Sequence, residues 1–216
     1  MIGFTEAFAR CPLIAILRGI EPEACEAIGG ALVEAGFSII EVPLNSPRPL
    51  ASVTTLASRF GHQALIGAGT VLSAGSVDQV VGAGGRLIVM PHGDPAVIDA
   101  AVRHRVPVIP GVATPTEAFA AIAAGAAALK LFPAEALPAK VVKSLRAVIP
   151  PQTILVPVGG ISLDNAPDYW HAGSSGFGLG SALYRPGDAA ETVRTRAAAF
   201  VARIAELRAA GPAPRD

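Results

Sequence analysis

The stretch VPVIPGVATPTE, residues 106–117, contains a transition from a buried strand to a helix. Its apolar run, residues 106–112, is continuous rather than alternating, and such runs are typical of strands buried on both faces in a parallel sheet. Thr114, Pro115 and Glu117 then match a capping box, with a threonine N-cap, a proline at the first helical position and a glutamate three residues after the cap. The stretch therefore predicts a strand that leads directly into a helix.

The same alternation repeats along the chain. Apolar runs, spaced roughly two dozen residues apart, are each followed by a segment long enough for a helix. The eight runs cover residues 13–19, 38–45, 64–71, 86–91, 106–112, 128–134, 154–160 and 175–181. This pattern predicts an α/β protein whose residues 1–216 form a single (β/α)₈ TIM barrel domain. An open, doubly wound sheet is the alternative topology.

The segments outside the runs complete this prediction. Residues 3–10 predict a short N-terminal helix that closes the bottom of the barrel. Ser162, which follows Gly159-Gly160-Ile161, is expected to cap the helix after the seventh run. The last helix is expected at about residues 188–210, and residues 211–216 are expected to be a frayed tail.

Composition excludes several classes of protein. Hydrophobic residues make up 51% of the chain and charged residues 16%, which allows a large buried core. The 17 basic and 17 acidic residues cancel and form no run of one sign, whereas nucleic-acid-binding proteins cluster Lys and Arg. Cys11 and Cys25 form neither a CxxC motif nor a spaced framework, so we interpret them as core residues of a protein in a reducing compartment.

No segment is typical of membrane insertion or secretion. The amino terminus carries Glu6 ahead of its apolar stretch and lacks a small-residue cleavage site. The longest nearly apolar segment, residues 118–134, is shorter than the roughly 20 residues of a membrane span and contains Lys130. We therefore expect a cytoplasmic protein that binds neither membrane nor nucleic acid.

Lys130 is a lysine inside an apolar strand, in the sequence ALKLF at residues 128–132. The other two lysines, Lys140 and Lys143, fall on the polar side of a predicted helix. Burial lowers the pKa of an amine, and a neutral amine near the carboxyl end of a barrel strand can attack a ketone. The alternative is a structural lysine that extends to solvent or pairs with a carboxylate.

Glu41 is the only carboxylate inside one of the strand-like runs, in the sequence IIEVPL at residues 39–44. If the strand register turns it inward, Glu41 and Lys130 reach a common centre, because the second and sixth barrel strands lie across from one another. A carboxyl group in an apolar environment has a raised pKa, which suits proton transfer. The alternative is a structural ion pair with Lys130 or with Arg18, at the end of the first strand.

Two glycine clusters predict a phosphate site. VGGIS at residues 158–162 and GLGSA at residues 178–182 each end a strand and are expected to open a helix. Glycine lets backbone N–H groups approach an anion, and the loops after the seventh and eighth strands bind phosphate in many barrels. Either cluster alone is a weak signal, but the pair in these two loops is a stronger one.

Other kinds of site are not indicated. A metal site would need clustered carboxylates and histidines at strand ends, and the histidines are scattered. Only His92 directly follows a strand, and a loop or helix-cap role is the simpler interpretation. No nucleophile elbow of a serine hydrolase is present. Gly67-Ala68-Gly69 lacks the third glycine of a dinucleotide-binding motif and lies within a strand.

Six motifs in matching order resemble one family of enzymes. They are LIAILRG (13–19), IEVPLNSP (40–47), LIGAGTVL (65–72), PGVA (110–113), ALKLFP (128–133) and VGGI (158–161). From about residue 13 to residue 200 the chain resembles the KDPG/KDPGal aldolases, class I aldolases of 2-keto-3-deoxy-6-phospho sugar acids. The glutamate and lysine motifs in this order are specific, whereas the glycine turns are not.

The resemblance implies a role for each matching residue. Lys130 would form the Schiff base and Glu41 would be the general acid/base, with no metal or organic cofactor. The residues lining the pyruvate end would be Arg18, Thr70 and Pro91, with Phe132 packed beside them. The residues holding the phosphate would be Gly159, Gly160, Gly180 and Ser181. The family is usually homotrimeric, so the resemblance also implies a homotrimer.

Two positions bear on the substrate. Gluconate-type members of the family usually have arginine and threonine after the glutamate strand, where this chain has Asn45-Ser46-Pro47. They also usually have threonine at the position of Val158. Both differences resemble the members that cleave 2-dehydro-3-deoxy-6-phosphogalactonate to pyruvate and glyceraldehyde 3-phosphate. A gluconate-specific or dual-specificity aldolase remains the alternative. Further alternatives are another phosphate-binding barrel enzyme, such as an epimerase or phosphosynthase, and an inactive barrel with a regulatory role.

Overall fold

Short parallel strands alternate with helices throughout residues 2–210, the part of the chain that the computed structural model describes. The tail expected at residues 211–216 lies outside this range. The strands are β1 (Leu13–Ile16), β2 (Ile39–Pro43), β3 (Leu65–Gly69), β4 (Ile88–Val89), β5 (Val108–Ile109), β6 (Gly111–Val112), β7 (Leu129–Leu131), β8 (Leu155–Pro157) and β9 (Phe177–Leu179). The α-helices are α1 (Phe4–Arg10), α2 (Cys25–Glu34), α3 (Pro49–Phe60), α4 (Ala74–Gly82), α5 (Pro95–Arg103), α6 (Pro115–Ala123), α7 (Ala139–Val148), α8 (Ala166–His171) and α9 (Ala190–Ala209). Short 3₁₀ helices cover Pro22–Ala24 and Ala134–Ala136.

The strands form two parallel sheets. The larger sheet has the order β5-β4-β3-β2-β1-β9, and the smaller sheet has the order β6-β7-β8. Each of the eight predicted runs contains an observed strand, and the predicted α/β class is confirmed. One continuous (β/α)₈ barrel is a finer statement that the two sheets do not establish, so it stays a prediction.

Pro110 explains why the fifth run contains two strands rather than one. Proline has no N–H group to donate to a neighbouring strand. At Pro110 the regular strand hydrogen bonding is therefore interrupted, and the run is divided into β5 before it and β6 after it. Backbone pairing with β7 continues beyond the interruption, because Lys130 N–H donates to Pro110 O over 2.9 Å. At the far side of the smaller sheet, an isolated parallel bridge joins Val158 to Gly178 in β9. The two sheets are therefore in contact at both of these edges.

Successive residues of the strands face two different hydrophobic clusters. In β1, Leu13 and Ala15 pack with helix residues such as Leu32, whereas Ile14 and Ile16 belong to a second cluster. This second cluster, here called the inner cluster, draws strand side chains from both sheets. Its strand-region members are Ile14, Ile16, Ile39, Leu65, Leu87, Val89, Ile109, Ala128, Val156 and Val158. Burial on both faces accounts for the continuous apolar runs.

The predicted helix signals are confirmed at some positions and wrong at others. Helix α1 agrees with the expected residues 3–10, and its Ala7 and Phe8 cover the inner cluster. The capping box is confirmed at α6, where Glu117 N–H donates to Thr114 Oγ1 over 3.3 Å.

None of the helices within residues 2–210 is both long and apolar enough to span a membrane.

Both glycine clusters lead into turns rather than directly into helices, so those two expectations are wrong. Ser162 Oγ accepts a hydrogen bond from Asn165 N–H over 3.3 Å, but α8 begins only at Ala166, after a turn. Ser162 therefore caps that turn and not the helix. After β9, Tyr184 N–H donates to Gly180 O over 2.9 Å in a single turn, and α9 begins only at Ala190.

Candidate active site

Strand alternation turns Glu41 and Lys130 toward the same interior. Ile39 in β2 and Ala128 beside β7 belong to the inner cluster, and Glu41 and Lys130 each lie two residues further along. Residues two apart in a strand share a face, so both charged side chains lie on the inner face. They are only 2% and 5% exposed, respectively. The sequence alone did not establish the strand register. In the structure, the register of β2 and β7 turns Glu41 and Lys130 to the same face.

Lys130 is held in an environment that favours its neutral form. Burial lowers the pKa of its ammonium group, the nearby carboxylate of Glu41 opposes that shift, and the positive charge of Arg18 adds to it. The Nζ atom lies 4.4 Å from the centre of the Phe132 ring, so an aromatic face borders the amine. A buried amine with a lowered pKa can act as a nucleophile near neutral pH.

Glu41 has the opposite shift. Burial raises the pKa of its carboxyl group to about 7, against the opposing effects of Lys130, Arg18 and the Gly69 N–H group. Its Oε2 atom is buried and has no hydrogen-bond partner among the described residues. A carboxyl group that titrates near neutrality and keeps one oxygen uncommitted can both accept and donate a proton.

Three adjacent strands end in a polar cluster around Arg18. The guanidinium of Arg18, after β1, donates from Nη1 to Asn45 Oδ1 over 2.6 Å and from Nη2 to Thr70 Oγ1 over 3.5 Å. Asn45 follows β2, and Thr70 follows β3 in a left-handed conformation with φ 54°. Such a conformation is rare for threonine and costs on the order of 1–3 kcal/mol. The cluster places a cation at the carboxyl ends of the strands, where it can bind a carboxylate.

Pro91 packs against the strand that pairs with the strand of Lys130. Gly111 is the register partner of Lys130, and a methyl group built on Gly111 would overlap the Pro91 backbone. Pro91 itself is half-buried. The structure therefore places all the residues expected at the pyruvate end, including Phe132, around the ends of β1 to β7.

The two glycine clusters come together as expected. The bridge between Val158 and Gly178 brings the two loops side by side. Gly159 and Gly160 have positive φ values of 109° and 63°, which favour glycine. Among residues 2–210, the backbone N–H groups of Gly160, Gly180 and Ser181 donate no hydrogen bond to another protein group. Uncommitted N–H groups in adjacent loops suit the binding of an anion.

Glu135 is a neighbour of this phosphate candidate that the sequence did not indicate. A methyl group built on Gly159 would overlap its carboxylate, and one built on Gly160 would lie 2.8 Å from its Cγ. The 3₁₀ helix that carries Glu135 is tied to the end of β8, because Ala134 N–H donates to Val158 O over 2.9 Å. The positive φ values therefore favour glycine at both positions, and the exposed Glu135 side chain lies against them.

A family model for KDPG and KHG aldolases matches residues 5–195. The chain belongs to this aldolase family. It is 50% identical over 191 residues to a probable 2-dehydro-3-deoxy-6-phosphogalactonate aldolase of Rhizobium meliloti (strain 1021), covering 88% of this chain and 90% of that protein. It is 46% identical over 192 residues to 2-dehydro-3-deoxy-6-phosphogalactonate aldolase of Escherichia coli (strain K12), covering 89% of this chain and 94% of that protein.

The fold agrees with that family. A solved structure of native KDPGal has 45% sequence identity to this chain and superimposes with a TM-score of 0.91. The match covers 93% of this chain and 97% of the other. The resemblance first indicated by the glutamate and lysine motifs is therefore confirmed at the level of the family.

Proposed function

We propose that this chain is a class I aldolase that cleaves 2-dehydro-3-deoxy-6-phosphogalactonate to pyruvate and D-glyceraldehyde 3-phosphate. The observation that carries the proposal is the buried pair on the inner face, an amine with a lowered pKa and a carboxyl group with a raised one. The names of the two close relatives support the same reaction.

Lys130 supplies the nucleophile. Its neutral amine attacks the C2 ketone of the substrate, and loss of water from the resulting carbinolamine gives an iminium ion. As the C3–C4 bond breaks, its electron pair forms the C2=C3 double bond of an enamine, and the iminium nitrogen takes up the electron pair of the C=N double bond. This activation requires no metal ion and no organic cofactor.

Glu41 moves the proton. Its carboxylate removes the proton from the C4 hydroxyl, directly or through one water molecule, as the C3–C4 bond breaks. Glyceraldehyde 3-phosphate leaves, and the enamine of pyruvate remains on Lys130. Protonation of the enamine at C3 and hydrolysis of the iminium release pyruvate and the free amine.

The surrounding residues bind the two ends of the substrate. At the pyruvate end, Arg18 is the cation for the carboxylate, and Asn45 and Thr70 hold its guanidinium. Pro91 and Phe132 border the reacting carbons. The residues that bind the phosphate through their backbone N–H groups are Gly159, Gly160, Gly180 and Ser181.

The choice of galactonate over gluconate depends on the C4 hydroxyl. Val158 is 7% exposed in the inner cluster, and it offers no hydrogen-bonding group where gluconate-type enzymes usually have threonine. A missing partner for one hydroxyl configuration can discriminate strongly between two epimers. The gluconate epimer and dual specificity remain the alternatives.

Three further properties belong to the same proposal. The two sheets together form a closed (β/α)₈ barrel, supported by the single inner cluster that both sheets line. The enzyme is a homotrimer, which is supported by the family resemblance. It is cytoplasmic, which is supported by its two buried free cysteines.

A cleavage assay on both C4 epimers tests the proposed reaction. Pyruvate release would be followed with lactate dehydrogenase, using the purified chain and 2-dehydro-3-deoxy-6-phospho derivatives of galactonate and gluconate. We expect a higher kcat/KM for the galactonate epimer. Cleavage of the gluconate epimer alone would overturn the substrate assignment, and cleavage of neither would overturn the reaction.

A further inference from the structure

The glycine pair of β3 lies beside Glu41, although the proposed reaction assigns it no role. In the parallel register between β2 and β3, Glu41 pairs with Gly67, and Pro43 pairs with Gly69. Gly69 is therefore the diagonal neighbour of Glu41 toward the carboxyl ends of the strands. Gly67-Ala68-Gly69 does not complete a dinucleotide-binding motif, so these glycines need another explanation.

The Glu41 carboxylate lies directly against the Gly69 backbone. The three heavy atoms nearest to a methyl group built on Gly69 are Oε2, Oε1 and Cδ of Glu41, and the methyl group would overlap all three. Glu41 is also fully surrounded by protein, with 2% of its surface exposed. Any side chain at residue 69 would therefore displace the carboxylate.

The backbone conformation gives no separate reason for glycine at this position. Gly69 is the last residue of β3, and its φ is not in the left-handed region, unlike that of Gly159 or Gly160. Alanine can adopt the same extended conformation. The carboxylate of Glu41 is therefore what excludes a side chain here.

Two features hold the Gly69 backbone in place. Leu44 N–H donates to Gly69 O over 2.8 Å, which ties the end of β3 to the strand that carries Glu41. Thr70, the next residue, is held in its left-handed conformation beside Arg18. A new methyl group would thus be accommodated by movement of the carboxylate rather than of the strand.

We propose that Gly69 is a positioning residue for the reaction, because its bare backbone forms the surface against which the Glu41 carboxylate is held. The proposal rests on the proposed function in one respect, the role of Glu41 in proton transfer. Gly69 acts through its contact with the Glu41 carboxylate.

The test combines Gly69→Ala with Glu41→Asp, because the aspartate side chain is one methylene group shorter than that of glutamate. Gly69→Ala should lower kcat by about 10–100-fold, because displacement of a catalytic group by about 1 Å costs on that order. Trapping of pyruvate on Lys130 by borohydride should persist. Glu41→Asp should lower kcat in the wild-type chain but raise it in the Gly69→Ala chain. Wild-type kcat in Gly69→Ala, or a loss on Glu41→Asp that is equal in both chains, would overturn the proposal.

A melting-temperature cycle covers the case in which Gly69→Ala does not fold. Gly69→Ala should destabilise the chain strongly when residue 41 is glutamate and much less in the Glu41→Ala chain, where the overlap is gone. Equal destabilisation in both chains would overturn the proposal. Gly75→Ala in α4 is the matched control, because a methyl group built there has no atom within 4 Å apart from its chain neighbours and its own helix backbone. A failure of the proposed function would be seen in a different experiment. If Glu41 had no role in proton transfer, Glu41→Gln would keep wild-type turnover, independently of the melting temperatures.

Discussion

Glu41 and Lys130 face the same interior, and each opposes the effect of burial on the pKa of the other. Burial lowers the pKa of the Lys130 amine and raises that of the Glu41 carboxyl group, so it shifts each group toward its neutral form. Their mutual attraction limits these shifts without removing them. The pair is thus arranged so that one group can add to a carbonyl while the other exchanges a proton.

Replacement of Lys130 should abolish cleavage. Lys130→Ala removes the amine that forms the Schiff base, and we expect turnover to fall by at least about 10⁴-fold, since a nucleophile acting as part of a unit has effects of this size. Lys140→Ala is the control, because Lys140 is exposed on α7. Retention of most activity in Lys130→Ala, measured as pyruvate release, would contradict the assignment.

The rate should depend on the ionisation of Glu41. Its pKa is raised to about 7, so kcat/KM should increase as the pH rises through about 7 and the carboxylate forms. Glu41→Gln should lose this dependence and be slower by roughly 10²–10⁴-fold at pH 8, the usual contribution of a general base. A pH–rate profile of both proteins from pH 5 to pH 9 makes the comparison. An unchanged rate in Glu41→Gln would mean that Glu41 is structural.

The same carboxyl group should make the fold less stable as pH rises. Between its ordinary pKa of 4.5 and its folded pKa of about 7, the folded chain holds a proton that the unfolded chain has released. The free energy of unfolding therefore decreases with pH across this interval, by up to about 3 kcal/mol. Relative to wild type, Glu41→Gln should gain stability as pH rises from 4.5 to 7 in urea titrations. A difference that does not change with pH would show that Glu41 ionises normally.

Glu135 should weaken phosphate binding. Its carboxylate contacts Gly159 and Gly160, so a phosphate bound there meets a like charge. Glu135→Gln should lower KM for the phosphorylated substrate by about 2–5-fold, a modest effect because the side chain is exposed and screened. Glu34→Gln, at the exposed end of α2, is the charge-matched control. A higher KM in Glu135→Gln would show instead that the carboxylate helps to bind the substrate.

Val158 should influence the choice between C4 epimers. Val158→Thr introduces a hydroxyl group into the inner cluster, and we expect the ratio of kcat/KM values to shift toward the gluconate epimer by about tenfold. Val148→Thr, at a valine that is 56% exposed, makes the same change away from the site. If the two variants have the same ratio as wild type, Val158 does not set the preference.

The strands and the central pair could be predicted from the sequence because burial leaves a local signal. Parallel strands covered on both faces produce continuous apolar runs, and Glu41 and Lys130 stand out as charges within such runs. The division of the fifth run at Pro110 could also have been predicted, because proline has no N–H group to donate to a neighbouring strand. The structure adds the register, which places both charges on one face.

The remaining features depend on contacts between distant parts of the chain. Ser162 has the right residue type for a helix cap, but Asn165 interacts with it and the helix begins later. The carboxylate of Glu135 on Gly159, and that of Glu41 on Gly69, are packing contacts with no local sequence pattern. A glycine in the sequence does not show whether a positive φ or a neighbouring group excludes a side chain, nor which neighbour does so.

The most direct test of the Schiff-base mechanism is to trap the intermediate. The protein would be incubated with pyruvate, reduced with borohydride, digested and examined by mass spectrometry. We expect a stable pyruvyl adduct on Lys130, and not on Lys140 or Lys143. The absence of an adduct on any lysine would contradict the mechanism and favour a different phosphate-binding enzyme on the same fold.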